Sequence, residues 1–174
     1  MSINDGVASG VSNWRIWGMG SLNVAPVFTA PLTDGQTLVC YTVNSTQKVP
    51  KVARIDAQDQ LVEIYSLTAG LECRGLAAES DGHFGTLLWS NSEDRIFVNR
   101  YDSTGNELWS TELTNVDNKP DDFTIGDSRL EFGNSTYGAY YHVHSDSGHE
   151  GDTLKWVNTD GNESTGWSGD VPTA

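Results

Sequence analysis

An internal repeat constrains this chain more than any other feature. Residues 53–67 line up with residues 99–113 at an offset of 46, matching Arg54 to Arg100, Asp56 to Asp102 and Leu67 to Leu113. A looser third copy covers residues 155–163, where Gly161 matches Gly105 at an offset of 56. The surplus falls near His144 to Asp152, which therefore read as an insertion. Self-similarity at a period of about 20–50 residues is the signature of propellers, solenoids and other arrays.

Each copy has one grammar. An apolar, aromatic-rich strand ends in Asp or Asn, a turn follows, and a second strand begins. Asp102-Ser103-Thr104-Gly105 and Asn158-Thr159-Asp160-Gly161 are turn chemistry with a cause. The Asx side chain bonds the backbone just ahead of it, and glycine accepts positive φ. Two further strands precede each hairpin: about 27–32 and 37–43, then 74–78 and 84–90, then 129–132 and 137–144. Almost nothing keeps a helical period over three turns. Short strands with regular turn signals predict an all-β chain, and four strands per unit is the size of a propeller blade. The expected fold is β-propeller-like, with about three four-stranded antiparallel blades over residues 27–67, 73–113 and 128–167. Residues 1–26 form an N-terminal segment that supplies a strand completing a blade, and residues 27–174 form the repeat domain.

The run Gly105-Asn106-Glu107-Leu108-Trp109, with a degenerate version from Gly161 to Trp167, resembles bacterial β-propeller repeat proteins whose last strand carries a Gly-x-x-x-Trp element. The resemblance extends over about residues 27–167 and implies blades arrayed around an axis. Propellers close with four or more blades, so three blades imply an incomplete ring. A longer natural chain, pairing of two copies, or a second chain would complete it. A self-contained β-sandwich is the alternative.

Charge narrows the partners. Ten Lys and Arg stand against 24 Asp and Glu, a formal net charge of −14. Phosphate-backbone recognition rests on cationic neutralisation, so no nucleic-acid partner is expected. Anionic membrane surfaces are disfavoured for the same reason, and no apolar stretch approaches the length of a membrane span. No signal peptide is visible at the start. Scarce Lys with abundant Asn, Ser, Thr, Gly and Trp nevertheless points to an exported protein, with cytoplasmic residence left open. Cys40 and Cys73 form no C-x-x-C motif, which removes zinc-ribbon and thioredoxin readings. They are either bridged or two buried thiols.

The richest polar segment is residues 140–152. If residues 137–146 form a strand, alternation gives His142, His144 and Asp146 one face. His149, Glu150 and Asp152 lie in the segment that returns towards them. Imidazole and carboxylate donors suit Zn²⁺ or Cu²⁺, and the carboxylates alone suit Ca²⁺. No established ligand spacing is met, and a solvated inter-strand loop is the plain alternative. Trp89 and Trp109 occupy repeat positions and read as core. Trp14 and Trp17 lie outside the clear repeats and are the candidates for an exposed, glycan-stacking patch. Gly126-Asp127-Ser128-Arg129-Leu130 is superficially like an esterase Gly-Asp-Ser-Leu block, but its all-β surroundings make it a turn before the third blade's first strand. There is no G-x-S-x-G elbow.

The expected function is a non-catalytic binding or scaffold protein, with loops holding a metal ion, a glycan or a protein partner. One alternative is a metal-dependent enzyme centred on residues 142–152. Another is part of a larger propeller whose site is completed by a second chain or by further sequence.

Overall fold

The computed structural model describes residues 13–15, 21–23, 27–44, 46–90, 92–93, 95–113, 123–145 and 150–170. Every regular element among them is a strand. β1 (Asn13–Arg15) and β2 (Ser21–Asn23) pair as a short ribbon. The first four-stranded sheet contains β3 (Phe28–Pro31), β4 (Thr37–Asn44), β5 (Lys48–Ile55) and β6 (Leu61–Ser66). The second contains β7 (Glu72–Ala78), β8 (Phe84–Ser90), β9 (Arg95–Tyr101) and β10 (Glu107–Glu112). The third contains β11 (Phe123–Gly133), β12 (Thr136–Ser145), β13 (Glu150–Asn158) and β14 (Glu163–Asp170). Within each sheet the strand order follows the chain and neighbours run antiparallel. The architecture is three successive antiparallel meanders in a propeller-like arrangement.

The second sheet lies between the other two. Its first strand, β7, touches β3 on one side and β11 on the other. One face packs Cys73, Leu76, Phe84, Leu88 and Tyr101 against Ala30, Leu38, Cys40, Val52 and Tyr65 of the first sheet. The other packs Ala77, Leu87, Trp89, Ile96 and Val98 against Leu130, Tyr137, Ala139, Tyr141 and Val157 of the third. Strand alternation explains the sorting, since successive side chains of β8 point to opposite faces. The Cys40–Cys73 bridge is formed, with Cα atoms 6.3 Å apart, and ties the first sheet to the second. Its ends lie 33 residues apart in sequence, a loop whose closure stabilises by about 4 kcal/mol in the chain-entropy model.

Five hairpin turns share one hydrogen-bond pattern. In each, the first residue donates its N–H to the carbonyl four positions on, and the fourth donates back: Leu32 with Gln36, Asp56 with Gln60, Glu79 with His83, Asp102 with Asn106 and Asn158 with Asn162. The fourth position needs positive φ, and Gly35, Asp59, Gly82, Gly105 and Gly161 supply it. Asx carboxyl or amide oxygens of Asp34, Asp56, Asp81, Asp102 and Asn158 accept backbone N–H groups inside these turns. Asp102 accepts from Asn106 and Thr104, which hold its carboxyl far below the usual range.

These turns also join the sheets. Tyr65 Oη and Arg54 Nη2 of the first sheet both donate to the carbonyl of Ser103 in the second, at 3.3 and 2.8 Å. Trp109 Nε1 and Arg100 Nη1 of the second both donate to the carbonyl of Thr159 in the third, at 2.8 and 3.4 Å. Arg54 and Arg100 are repeat-equivalent, as are Ser103 and Thr159. The same joint therefore occurs twice, an arginine and an aromatic clasping the next sheet's turn.

Two segments depart from the sequence expectation. Gly126-Asp127-Ser128 lies inside β11, at a register shift between Ile125 and Ser128, and not in a turn before it. The third unit's surplus residues lengthen β12 and β13 into a longer ribbon, so residues 142–145 and 150–152 are strand and only 146–149 remain outside the described residues.

The joint yields a stability prediction. A Cβ at Gly105 would fall on the Tyr65 ring, and its φ of +83° strains any L residue. Gly105→Ala is expected to cost about 2–4 kcal/mol, from left-handed strain plus overpacking. Asp59→Gly, at the matching position, is expected to stay within about 1 kcal/mol of the parent. Urea unfolding of the two variants checks the contrast, and equal effects would refute it.

Candidate functional site

The β12–β13 ribbon carries the polar segment singled out in the sequence. Its register is uninterrupted there: His142 faces Asp152, Val143 faces Gly151 and His144 faces Glu150. His142 Nδ1 lies 2.8 Å from Asp152 Oδ1, and Tyr140 Oη donates to the same oxygen at 2.7 Å. Both His142 and Asp152 are about one-fifth exposed. Burial pushes the Asp152 carboxyl up, but the hydrogen bonds from Tyr140 and His142 outweigh it and hold the group below its ordinary range. Positions 144 and 150 form the next cross-strand pair along the ribbon. Asp146 and His149 lie outside the described residues. Among the described residues, no three His, Cys, Asp or Glu groups converge on one point.

The aromatic candidates separate similarly. Trp14 lies on β1, opposite Leu22, and Trp17 lies outside the described residues. Trp89 is buried and Trp109 packs against the core between the second and third sheets. Among the described residues, the exposed indole is Trp156, which is 40% exposed and lies across Gly138. Repeat matching shows what is unusual about it. Ile96, Val98 and Arg100 of β9 correspond to Asp152, Leu154 and Trp156 of β13. The β9 residues are covered by the third sheet, whereas Asp152 and Leu154 are only half-buried. The third sheet thus presents a mixed apolar and polar face where its neighbours are covered.

A second polar region was not legible in advance. A cleft of about 470 Å³ opens between the first and second sheets, lined by Gln47, the 68–71 link, Ser90, Phe97, Asn99 and Glu107, among others. Asn99 is 2% exposed. Its amide donates to Glu107 Oε2 at 3.0 Å and to Tyr101 Oη at 3.2 Å, and its oxygen accepts from Ser110 at 2.8 Å. Burial pushes the Tyr101 phenol up to about 12.

The remaining enclosed charges are paired with one another at joints between or beside the sheets. Arg100 holds Glu79 in a two-point pair at 2.6 and 2.9 Å, and Tyr137 also donates to Glu79. Burial, then Glu79, drives the Tyr137 phenol far above its usual range. Glu72 accepts from Arg74 and Lys48, with the Arg74 guanidinium 4.7 Å from the centre of the Trp89 ring. Lys155 and Glu163 pair at 3.3 Å. Both cysteines are consumed by the bridge, leaving no free thiol. No described helix is long and apolar enough to cross a membrane.

No protein-family model matches this chain, and no curated protein matches it. Among solved structures, a protein of unknown function from Bacteroides caccae is similar, at 11% identity and a TM-score of 0.46. The match covers 87% of this chain and 64% of that one, so the chain spans less than two thirds of its length.

The pairing of Asp152 has a pH consequence. A carboxyl held below its unfolded value contributes stability that is present above about pH 4 and lost as pH falls through the folded value. The melting temperature of Asp152→Asn is therefore expected to lie below the parent's at pH 6 and to converge on it towards pH 3. A difference that stays constant over that range would refute the assignment.

Proposed function

We propose that this chain is a non-catalytic binding module, a propeller-like scaffold whose β12–β13 ribbon takes a divalent metal ion. The observation that carries this reading is the register, which sets His142 against Asp152 and His144 against Glu150 on consecutive same-face pairs of one ribbon. Two imidazoles and two carboxylates in that pattern are a donor set for Zn²⁺ or Cu²⁺. Ca²⁺ would draw on the carboxylates, with Asp146 as a further donor. The binding reading over the enzymatic one draws on the enclosed titratable groups. Strongly shifted groups mark active sites when they face a cleft, but Glu79, Arg100 and Tyr137 are spent on joining sheets. Export is supported by the Cys40–Cys73 bridge, since disulfides persist in oxidising compartments.

A second reading, an array completed by another copy or another chain, draws on the half-covered third-sheet face around Trp156. The partner would be a protein surface seated where a fourth sheet would stand, and the ligand of the whole assembly would be a protein or a glycan.

One set of samples tests both. Saturating Zn²⁺, Cu²⁺ or Ca²⁺ at about 100 times Kd stabilises by about 2.7 kcal/mol, a rise of about 5–10 °C in melting temperature for a chain of this size. His142→Ala and His144→Ala are expected to abolish the rise. No rise with any of the three ions would overturn the metal reading. The mass of the same protein in solution decides the second, and a monomer at high concentration would count against self-pairing.

A further inference from the structure

We infer that the cleft between the first and second sheets is a binding site for a neutral, hydroxyl-rich ring of monosaccharide size. This site is separate from the β12–β13 ribbon and does not depend on it. At about 470 Å³ the cleft falls within the range of small-molecule sites. Among the described residues, its lining holds two carboxylates, Glu93 and Glu107, and no Lys, Arg or His. Glu93 is offset by Arg95, whose guanidinium also lies 4.9 Å from the centre of the Phe97 ring, so the uncompensated charge is that of Glu107, and it disfavours anionic ligands.

The two carboxylates do not make it a cation site either. Glu93 already accepts from Arg95 Nη1 at 3.0 Å, and Glu107 accepts from Asn99. What the cleft offers is hydroxyl chemistry. Thr68 and the mutually bonded Ser90 and Ser92 present hydroxyls that donate and accept, and Ser110, whose proton goes to Asn99, offers its oxygen as an acceptor. Glu107 retains a second oxygen as acceptor. Phe97 and Leu71 supply an apolar wall beside them. Asn99 fixes this constellation, since its buried amide is committed to Tyr101, Glu107 and Ser110 at once. A polar group with all partners satisfied holds its neighbours in one geometry. Asn99 and Glu107 correspond by the repeat to Lys155 and Glu163, which close on each other as an ion pair. The second unit thus has an amide and a carboxylate with spare acceptor capacity where the third has a neutralised pair.

The test is amide chemical-shift mapping of the full chain, treated with chelator so that its outcome is independent of the metal reading. The probes are glucose, galactose, mannose and N-acetylglucosamine, with glucuronate and lysine methyl ester as charged comparisons. At least one neutral sugar is expected to give saturable shifts at residues 90–110, in the millimolar range or tighter. Glucuronate is expected to give none and lysine methyl ester weaker ones. Ser92→Trp, at an exposed position on the cleft rim, is expected to abolish the shifts while leaving the folded spectrum intact. Glu107→Gln, which keeps the Asn99 contact, is expected to weaken binding about tenfold. The inference is overturned if no neutral sugar saturates. It is also overturned if the shifts survive Ser92→Trp, or if the cationic ester binds more tightly than every sugar.

Discussion

The arrangement depends on the second sheet having both of its faces covered. All of β8 is buried, as is β7 apart from half-buried Ala78. A twisted four-stranded sheet is two-sided, and apolar side chains on both sides of β8 leave it no solvated face. It is stable only with a sheet on each side, which fixes the minimum size of the array at three units. The first and third sheets follow from this: each presents one apolar face to the second. The disulfide then ties Cys40 on the first sheet to Cys73 on β7, the first strand of the second.

Hydrophobic contact alone is non-directional and would allow the sheets to slide. The turns remove that freedom. Each clasp places two donors on one turn carbonyl, so the sheets are set in register by directed bonds at their edges. Thr33 Oγ1 adds a third tie of the same kind, donating to the Ser80 carbonyl of the neighbouring sheet's turn at 3.1 Å. Glycine at positions 105 and 161 serves two requirements together, the positive φ of the turn and the approach of Tyr65 or Trp109. The 46- and 56-residue offsets in the sequence are thus the spacing of a mechanical joint. The arginine, the turn and the residue with positive φ recur because each joint needs all of them.

Much of the fold was readable because these requirements are local. Asx residues, Gly105 and Gly161 mark turns by their own chemistry, and alternation marks the strands between them. Less was readable where a tertiary contact decides. The β11 strand absorbs Gly126-Asp127-Ser128 through a register shift, although its glycine and aspartate are ordinary turn residues. The His and Asp segment read as an insertion because the third copy's offset of 56 exceeds the 46 between the first two. On the outward face of the last sheet its polarity is tolerated, so the strands simply continue. Trp156 stands where the second unit has Arg100, and among the described residues no further sheet covers it. The cleft was invisible for a different reason: its lining comes from three separated stretches that only the stacking of two sheets brings together.

The topology also divides the molecule into two ends of unequal freedom. Antiparallel meanders place the β3–β4, β5–β6, β7–β8, β9–β10, β11–β12 and β13–β14 turns at one end. That end is occupied by the joints, where a changed residue disturbs a clasp or a positive-φ position. The β4–β5, β8–β9 and β12–β13 connections and the β6–β7 link lie at the other. The Lys48–Glu72 pair and the bond from Gly70 N–H to the Lys48 carbonyl tie this end, but it carries none of the turn clasps, and loops outside such joints are those freer to acquire function. The cleft is bordered by Gln47, the 68–71 link and Ser92 at this end, and the His142–Asp152 pair stands on the ribbon leading to it. Both candidate sites therefore lie where the scaffold is least committed.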